Sequence, residues 1–97
     1  MDYESKFKNE ANDALFEAFL QLKTIDECYI FFEDLMTIKE LQSISQRWQV
    51  AKLLSGGKTY TEIEKETKAS TATISRINKC LEYGAGGYRM LLEREKK

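Results

Sequence analysis

Residues 59–82 read TYTEIEKETKASTATISRINKCLE, and this stretch decides the fold. It contains two short amphipathic helical patterns with almost nothing between them. Thr59 and Thr61 are alternative N-caps, each followed three residues later by an acid, Glu62 or Glu64. A hydroxyl at such a position satisfies a free amide of the helix start, and the acid returns the bond. This helix is predicted to end near Thr67, with Lys68 and Ala69 as the turn. Ser70 then caps a second helix running from about 71 to 82, ending before the glycines at 84, 86 and 87.

On a helical wheel, Ile74, Ile77 and Leu81 fall together and must face the protein, which leaves Thr71, Ala72, Ser75, Arg76 and Lys79 on the opposite side. Upstream, Leu41, Ile44, Trp48 and Ala51 form one face of a helix whose C-terminal half, with Val50, Leu53 and Leu54, is apolar on more than one side. Thr37 and Glu40 have the spacing of a capping box at its start, and Gly56 and Gly57 close it. Two short helices joined by a tight turn and preceded by a longer apolar helix make a helix-turn-helix layout.

The first part of the chain has no proline or glycine to interrupt a helix. Phe7, Ala11, Ala14, Leu15, Ala18 and Leu22 recur at the spacing of one helical face, which predicts a helix over about 3–22. A second helix is predicted over about 26–35, with a short strand as the competing reading of the apolar run from Tyr29 to Phe32. A last helix is predicted over about 88–95. The expectation is an all-α chain of about six helices forming a single domain over 1–97. Within it, 1–36 would be dimerisation helices, 37–83 the central helix with the helix-turn-helix, and 84–97 a linker and C-terminal helix.

Composition excludes several classes. With no histidine among 97 residues, the chain cannot build a Ser-His-Asp or Cys-His catalytic set or a His-ligated metal site. Cys28 and Cys80 are too far apart for a Cys-x-x-Cys element and are read as buried small hydrophobes, so no metal site is expected. Neither paired carboxylates in a pocket nor a phosphate-binding glycine loop emerges, and the chain is not expected to be an enzyme. No apolar run approaches the length of a membrane span, and the charged N-terminus is not signal-like, so a cytoplasmic protein without a membrane partner is expected. A chain of this size buries only about 60–65% of its unfolded surface. The aromatic-rich N-terminal part then exceeds what a monomer can cover, which points to a homodimer.

Charge is divided unevenly along the chain. The 15 basic and 16 acidic side chains nearly cancel, but residues 1–44 hold four basic and ten acidic, and residues 45–80 hold seven basic and three acidic. Positive charge therefore concentrates on the helix-turn-helix, as binding to double-stranded DNA requires. Small and hydroxyl-bearing residues at the start of the second helix would let it approach base edges, with Arg76 on a guanine or a phosphate. Ser70 and the free amides beside it suit a backbone phosphate. Lys58, Lys65, Lys68 and Lys79 would supply the salt-sensitive part of the affinity. The competing reading is a helical protein-interaction module without DNA binding, in which the acidic, aromatic N-terminal part makes the contact.

Leu53 and Leu54, the glycine at 56, Glu62 and Ile63, and above all the run Ala72-Thr-Ile-Ser-Arg76 resemble the Trp repressor family. The stretch Glu82-Tyr-Gly-Ala-Gly-Gly-Tyr-Arg89 resembles its Trp-repressor-like YerC/YecD subgroup. The resemblance implies an intertwined homodimer and a transcriptional regulator, a repressor, that places one recognition helix of each subunit in successive major grooves of a palindromic operator. It places DNA contacts on Thr71, Ala72, Thr73, Ser75 and Arg76, with Tyr60 and Thr61 from the preceding helix. The family's turn glycine is Lys68 here, so a turn built differently is expected.

The Trp repressor holds L-tryptophan between an arginine of the central helix and the arginine that Arg76 matches. Arg47 stands for the former if a one-residue gap is allowed, and Gln46 if it is not. Ile77 replaces a glycine that makes room for the ligand, and Cys80 replaces a serine for its amine. An effector pocket, if one exists, would involve Arg47, Arg76, Ile77 and Cys80. The two replacements argue against L-tryptophan as corepressor and leave another small effector open.

Overall fold

The computed structural model describes residues 3–96 and contains six α-helices, with no strand among the described residues. The chain divides into two compact units, residues 1–37 and 38–97.

The first unit holds α1 (Glu10–Phe19) and α2 (Ile25–Leu35). Helix α1 is shorter than the predicted 3–22 because Asn9, with extended backbone, caps it by accepting a bond from the Asn12 amide at 2.7 Å. The side chain of Asn12 in turn donates to the Phe7 carbonyl at 2.7 Å and ties the preceding segment down outside the helix. The run from Tyr29 to Phe32 is helical, not a strand. Its start is fixed by Thr24, whose hydroxyl accepts from the Glu27 amide, while the Glu27 carboxylate accepts from the Lys23 amide. Phe19 meets Phe31 and Phe32 edge-on, with ring centroids 5.8 and 5.4 Å apart. Neither helix contains a fully buried residue. Leu20, Ile25 and Ile30 are exposed by 84%, 75% and 66%, so this unit has more apolar surface than it covers.

The second unit holds α3 (Ile38–Ser55), α4 (Tyr60–Thr67), α5 (Thr71–Tyr83) and α6 (Gly87–Glu95). Its core consists of Val50 and Ala51 from α3, Ile63 from α4, Ala69 from the turn, and Ile74 and Ile77 from α5. Leu53, Leu54, Leu81 and Tyr88 pack around this core. Helix α3 therefore lies centrally, with α4, α5 and α6 each packed against it. It closes at Gly57, whose φ of +85° is the left-handed conformation that favours glycine. Helix α6 stacks Tyr88 on Trp48 at 6.3 Å between ring centroids. A half-exposed ion pair between Lys52 and Glu95 adds little to this packing.

Candidate nucleic-acid interface

The geometry of the helix-turn-helix follows from two N-caps, a threonine that brackets the turn, and one strained residue. Thr59 wins the competition for the start of α4. Its hydroxyl accepts from the Glu62 amide at 3.2 Å, and the Glu62 carboxylate accepts from the Thr59 amide at 2.9 Å, completing a capping box. Thr61 is left exposed on the first turn of α4, and Glu64 is left without a capping duty.

At the other end of α4, Thr67 donates to the Ile63 carbonyl at 2.7 Å and accepts from the Ala69 amide at 3.1 Å. Between them Lys68 takes the left-handed conformation, φ 63° and ψ 15°, with its amide bonded to the Glu64 carbonyl at 2.9 Å. The expectation of a differently built turn is therefore corrected: lysine adopts the conformation in which glycine would be unstrained. That conformation costs a non-glycine residue about 1 kcal/mol. It persists because Thr67 brackets the turn, Ala69 is buried in the core, and Gln46 of α3 donates to the Thr67 carbonyl at 3.0 Å.

Ser70 caps α5, accepting from the Thr73 amide and donating to the Thr73 hydroxyl, both at 3.1 Å. Ile74 and Ile77 are buried and Leu81 is half-buried, as the wheel requires. Ser70, Thr71, Ala72, Arg76 and Lys79 are exposed on α5 and its cap, and Tyr60 and Thr61 are exposed at the start of α4. Thr73 and Ser75 are half-buried at the edges of this surface. Thr71 donates to the Glu64 carboxylate across the two helices, a link that sequence reading did not find because it weighed Glu64 only as an alternative capping acid. Arg47, Lys58, Lys65, Lys68, Arg76 and Lys79 form no ion pair among the described residues. Their charges remain available to a polyanion.

Of the residues expected around an effector, Cys80 lines a cavity beside α6 whose lining does not include Arg47, Arg76 or Ile77. Arg47 and Arg76 are exposed, and Ile77 belongs to the core. Cys80 is exposed rather than buried, and Cys28 is half-buried. The reason for the exposure of Cys80 is local: α5 ends at Gly84, and the glycine-rich segment leaves a cavity of about 420 Å³ bounded by Trp48, Cys80, Gly84, Tyr88, Met90 and Leu91, with no charged side chain in its lining. Burial raises the Tyr88 pKa above the usual tyrosine value; proximity to Cys80 adds to the rise, and Arg47 partly offsets it.

No helix among the described residues is long and apolar enough to cross a membrane, and no group of three or more metal-ligating side chains is found among them. A four-helix unit built on a long central helix, with a capped second helix packed on it by one face and exposed on the other, defines a helix-turn-helix protein.

Residues 10–96 match the Trp repressor protein family, and the chain belongs to it. It is 52% identical over 92 residues to the uncharacterized protein YerC of Bacillus subtilis (strain 168), covering 95% of this chain and 88% of that one. Two crystal structures superimpose closely. A TrpR-like protein from Eubacterium eligens ATCC 27750 has a TM-score of 0.91 and 52% identity, covering 94% of each chain. A candidate Trp repressor from Staphylococcus aureus has a TM-score of 0.90 and 50% identity, covering 94% of this chain and 91% of that one.

Proposed function

We propose that this protein is a sequence-specific transcriptional repressor that binds a palindromic operator as a homodimer, inserting α5 of each subunit into the major groove. The observation that carries the reading is the surface of α5. Its buried isoleucines leave a face of Thr71, Ala72, Arg76 and Lys79, on a unit in which, among the described residues, Lys52 pairs with Glu95 and Arg47, Lys58, Lys65, Lys68, Arg76 and Lys79 form no ion pair. Small residues at the helix start admit a close approach to base edges, and Arg76 has the fork geometry that recognises guanine. The amides at the N-terminus of α5 favour a phosphate. Membership of a family of regulators rather than enzymes supports the same reading.

The exposed aromatic and aliphatic side chains of α1 and α2 support the dimer. An apolar surface of this extent is covered in a stable protein, and a second copy provides a matching surface by symmetry. Repression does not depend on L-tryptophan in this reading: Ile77, which the resemblance matches to the glycine that makes room for the ligand, is packed into the core.

Selection from a randomised duplex library, followed by fluorescence-anisotropy titration of the enriched sequence, tests the proposal. Enrichment of a two-fold symmetric site bound in the nanomolar to micromolar range without amino-acid ligand supports it. Failure to bind any duplex at low salt contradicts it and favours the protein-interaction reading.

A further inference from the structure

Thr71, the first residue of α5, is not a free hydroxyl. Its O–H donates to the carboxylate of Glu64, which projects from the last turns of α4 toward the start of the recognition helix. A threonine hydroxyl has one hydrogen to donate and two lone pairs to accept with, and a carboxylate only accepts. With the hydrogen committed to Glu64, Thr71 presents acceptors alone.

Glu64 is free for this task because Glu62 completes the capping box with Thr59. Its negative charge beside the N-terminus of α5 is favourable to the helix dipole, and a bond to a charged acceptor outlasts one to water when a groove surface is dehydrated. Neighbouring hydroxyls have a similar character: the Ser70 hydrogen is donated to Thr73.

We infer that Glu64 and Thr71 together form an acceptor-only reading element that selects an amino-bearing base, cytosine or adenine, and rejects guanine and thymine at one position of each half-site. In the major groove, cytosine offers N4–H and adenine N6–H as donors, whereas guanine O6 and thymine O4 only accept and would face lone pairs and negative charge. Glu64 is a positioning residue here, acting through the orientation of the Thr71 hydroxyl. The inference rests on the proposed DNA binding by α5.

Library selection with the full-length wild-type chain and with Glu64→Gln, Thr71→Val and Thr71→Ser tests it, with circular dichroism melts to establish that each variant is folded. Wild type and Thr71→Ser are expected to prefer cytosine or adenine at one half-site position by about three- to tenfold, the worth of one hydrogen bond. Glu64→Gln supplies an amide that donates as well as accepts, so guanine and thymine should become tolerated at that position only. Thr71→Val should lose the preference there. An unchanged base profile for folded Glu64→Gln, or a wild-type preference for guanine or thymine at the position Thr71→Val alters, overturns this inference while leaving DNA binding intact. A wild-type chain that binds no duplex overturns the DNA-binding reading and this inference with it.

Discussion

The amide of Gln46, in the middle of α3, donates a 3.0 Å hydrogen bond to the carbonyl of Thr67, the last residue of α4. This bond fastens the central helix to the residue that precedes the turn, and so sets where α5 begins. Gln46→Ala is expected to cost about 1 kcal/mol in a urea titration, because the Thr67 carbonyl is half-buried and loses its partner. The same finding bears on the alignment of the central helix. Gln46 has a structural duty, and Arg47 is the exposed residue beside it.

Lys68 is the only non-glycine residue with positive φ among the described residues. Lys68→Gly removes the steric cost of a left-handed side chain but adds freedom to the unfolded chain, so stability should rise by up to about 1 kcal/mol. If Lys68 also contacts the DNA backbone, the same substitution lowers the slope of log affinity against log salt by about one. Melting curves and salt titrations separate the two effects.

Gly84 tests the end of α5. A Cβ there would lie 2.5 Å from the Cys80 carbonyl oxygen and 3.2 Å from the Cys80 Cα, both backbone atoms that cannot move aside without disturbing the helix. Gly84→Ala should destabilise the protein by about 1–3 kcal/mol. Because the segment after Gly84 carries Tyr88 onto Trp48, the fluorescence of the single tryptophan should report the displacement.

Arg76 and Lys79 differ in what they are expected to read. Arg76→Ala should weaken binding to the selected operator by about 1–3 kcal/mol and relax preference at one base pair, whereas Lys79→Ala should weaken binding to all sequences and lower the salt slope by about one. Equal losses from both on every duplex would mean that Arg76 touches only phosphate.

Tyr88 makes stability depend on alkaline pH. Its pKa is raised in the fold, chiefly by burial, so near the ordinary tyrosine value the unfolded chain ionises first. The contribution is fully present below about pH 10 and is lost as pH rises through the folded-state value. Tyr88→Phe should lose less stability than wild type between neutral and strongly alkaline pH in chemical denaturation.

The helix-turn-helix was the most legible part of the sequence, because its ends are written in local chemistry. Thr59, Ser70 and Gly57 close or open helices through bonds and dihedrals that their residue types dictate. The buried face of α5 was equally plain from the spacing of Ile74 and Ile77. Less of the N-terminal unit was legible. Periodicity ran from Phe7 through Leu22, but Asn9 interrupts it with an extended backbone, and a cap within an apolar pattern is hard to weigh against the pattern itself.

Thr24 and Glu27 have the same Thr-x-x-Glu spacing that marked Thr59, and that signal would have located the start of α2. Cys80 follows Ile77 by three residues and looked like core, yet it is exposed because the glycine segment leaves α5 without cover there. The Glu64–Thr71 link was invisible for a different reason. Two threonines competed for one capping role, and only the folded arrangement shows which acid is released to reach α5.

In the proposed complex, two copies of α5 read successive major grooves. Methylation protection of guanine N7 on the selected operator tests this most directly, since that atom lies in the major groove. The prediction is protection in two symmetric half-sites about one helical turn, 10–10.5 base pairs, apart, lost in both on Arg76→Ala. Absence of protection, or protection of a single site with no symmetric counterpart, would contradict it.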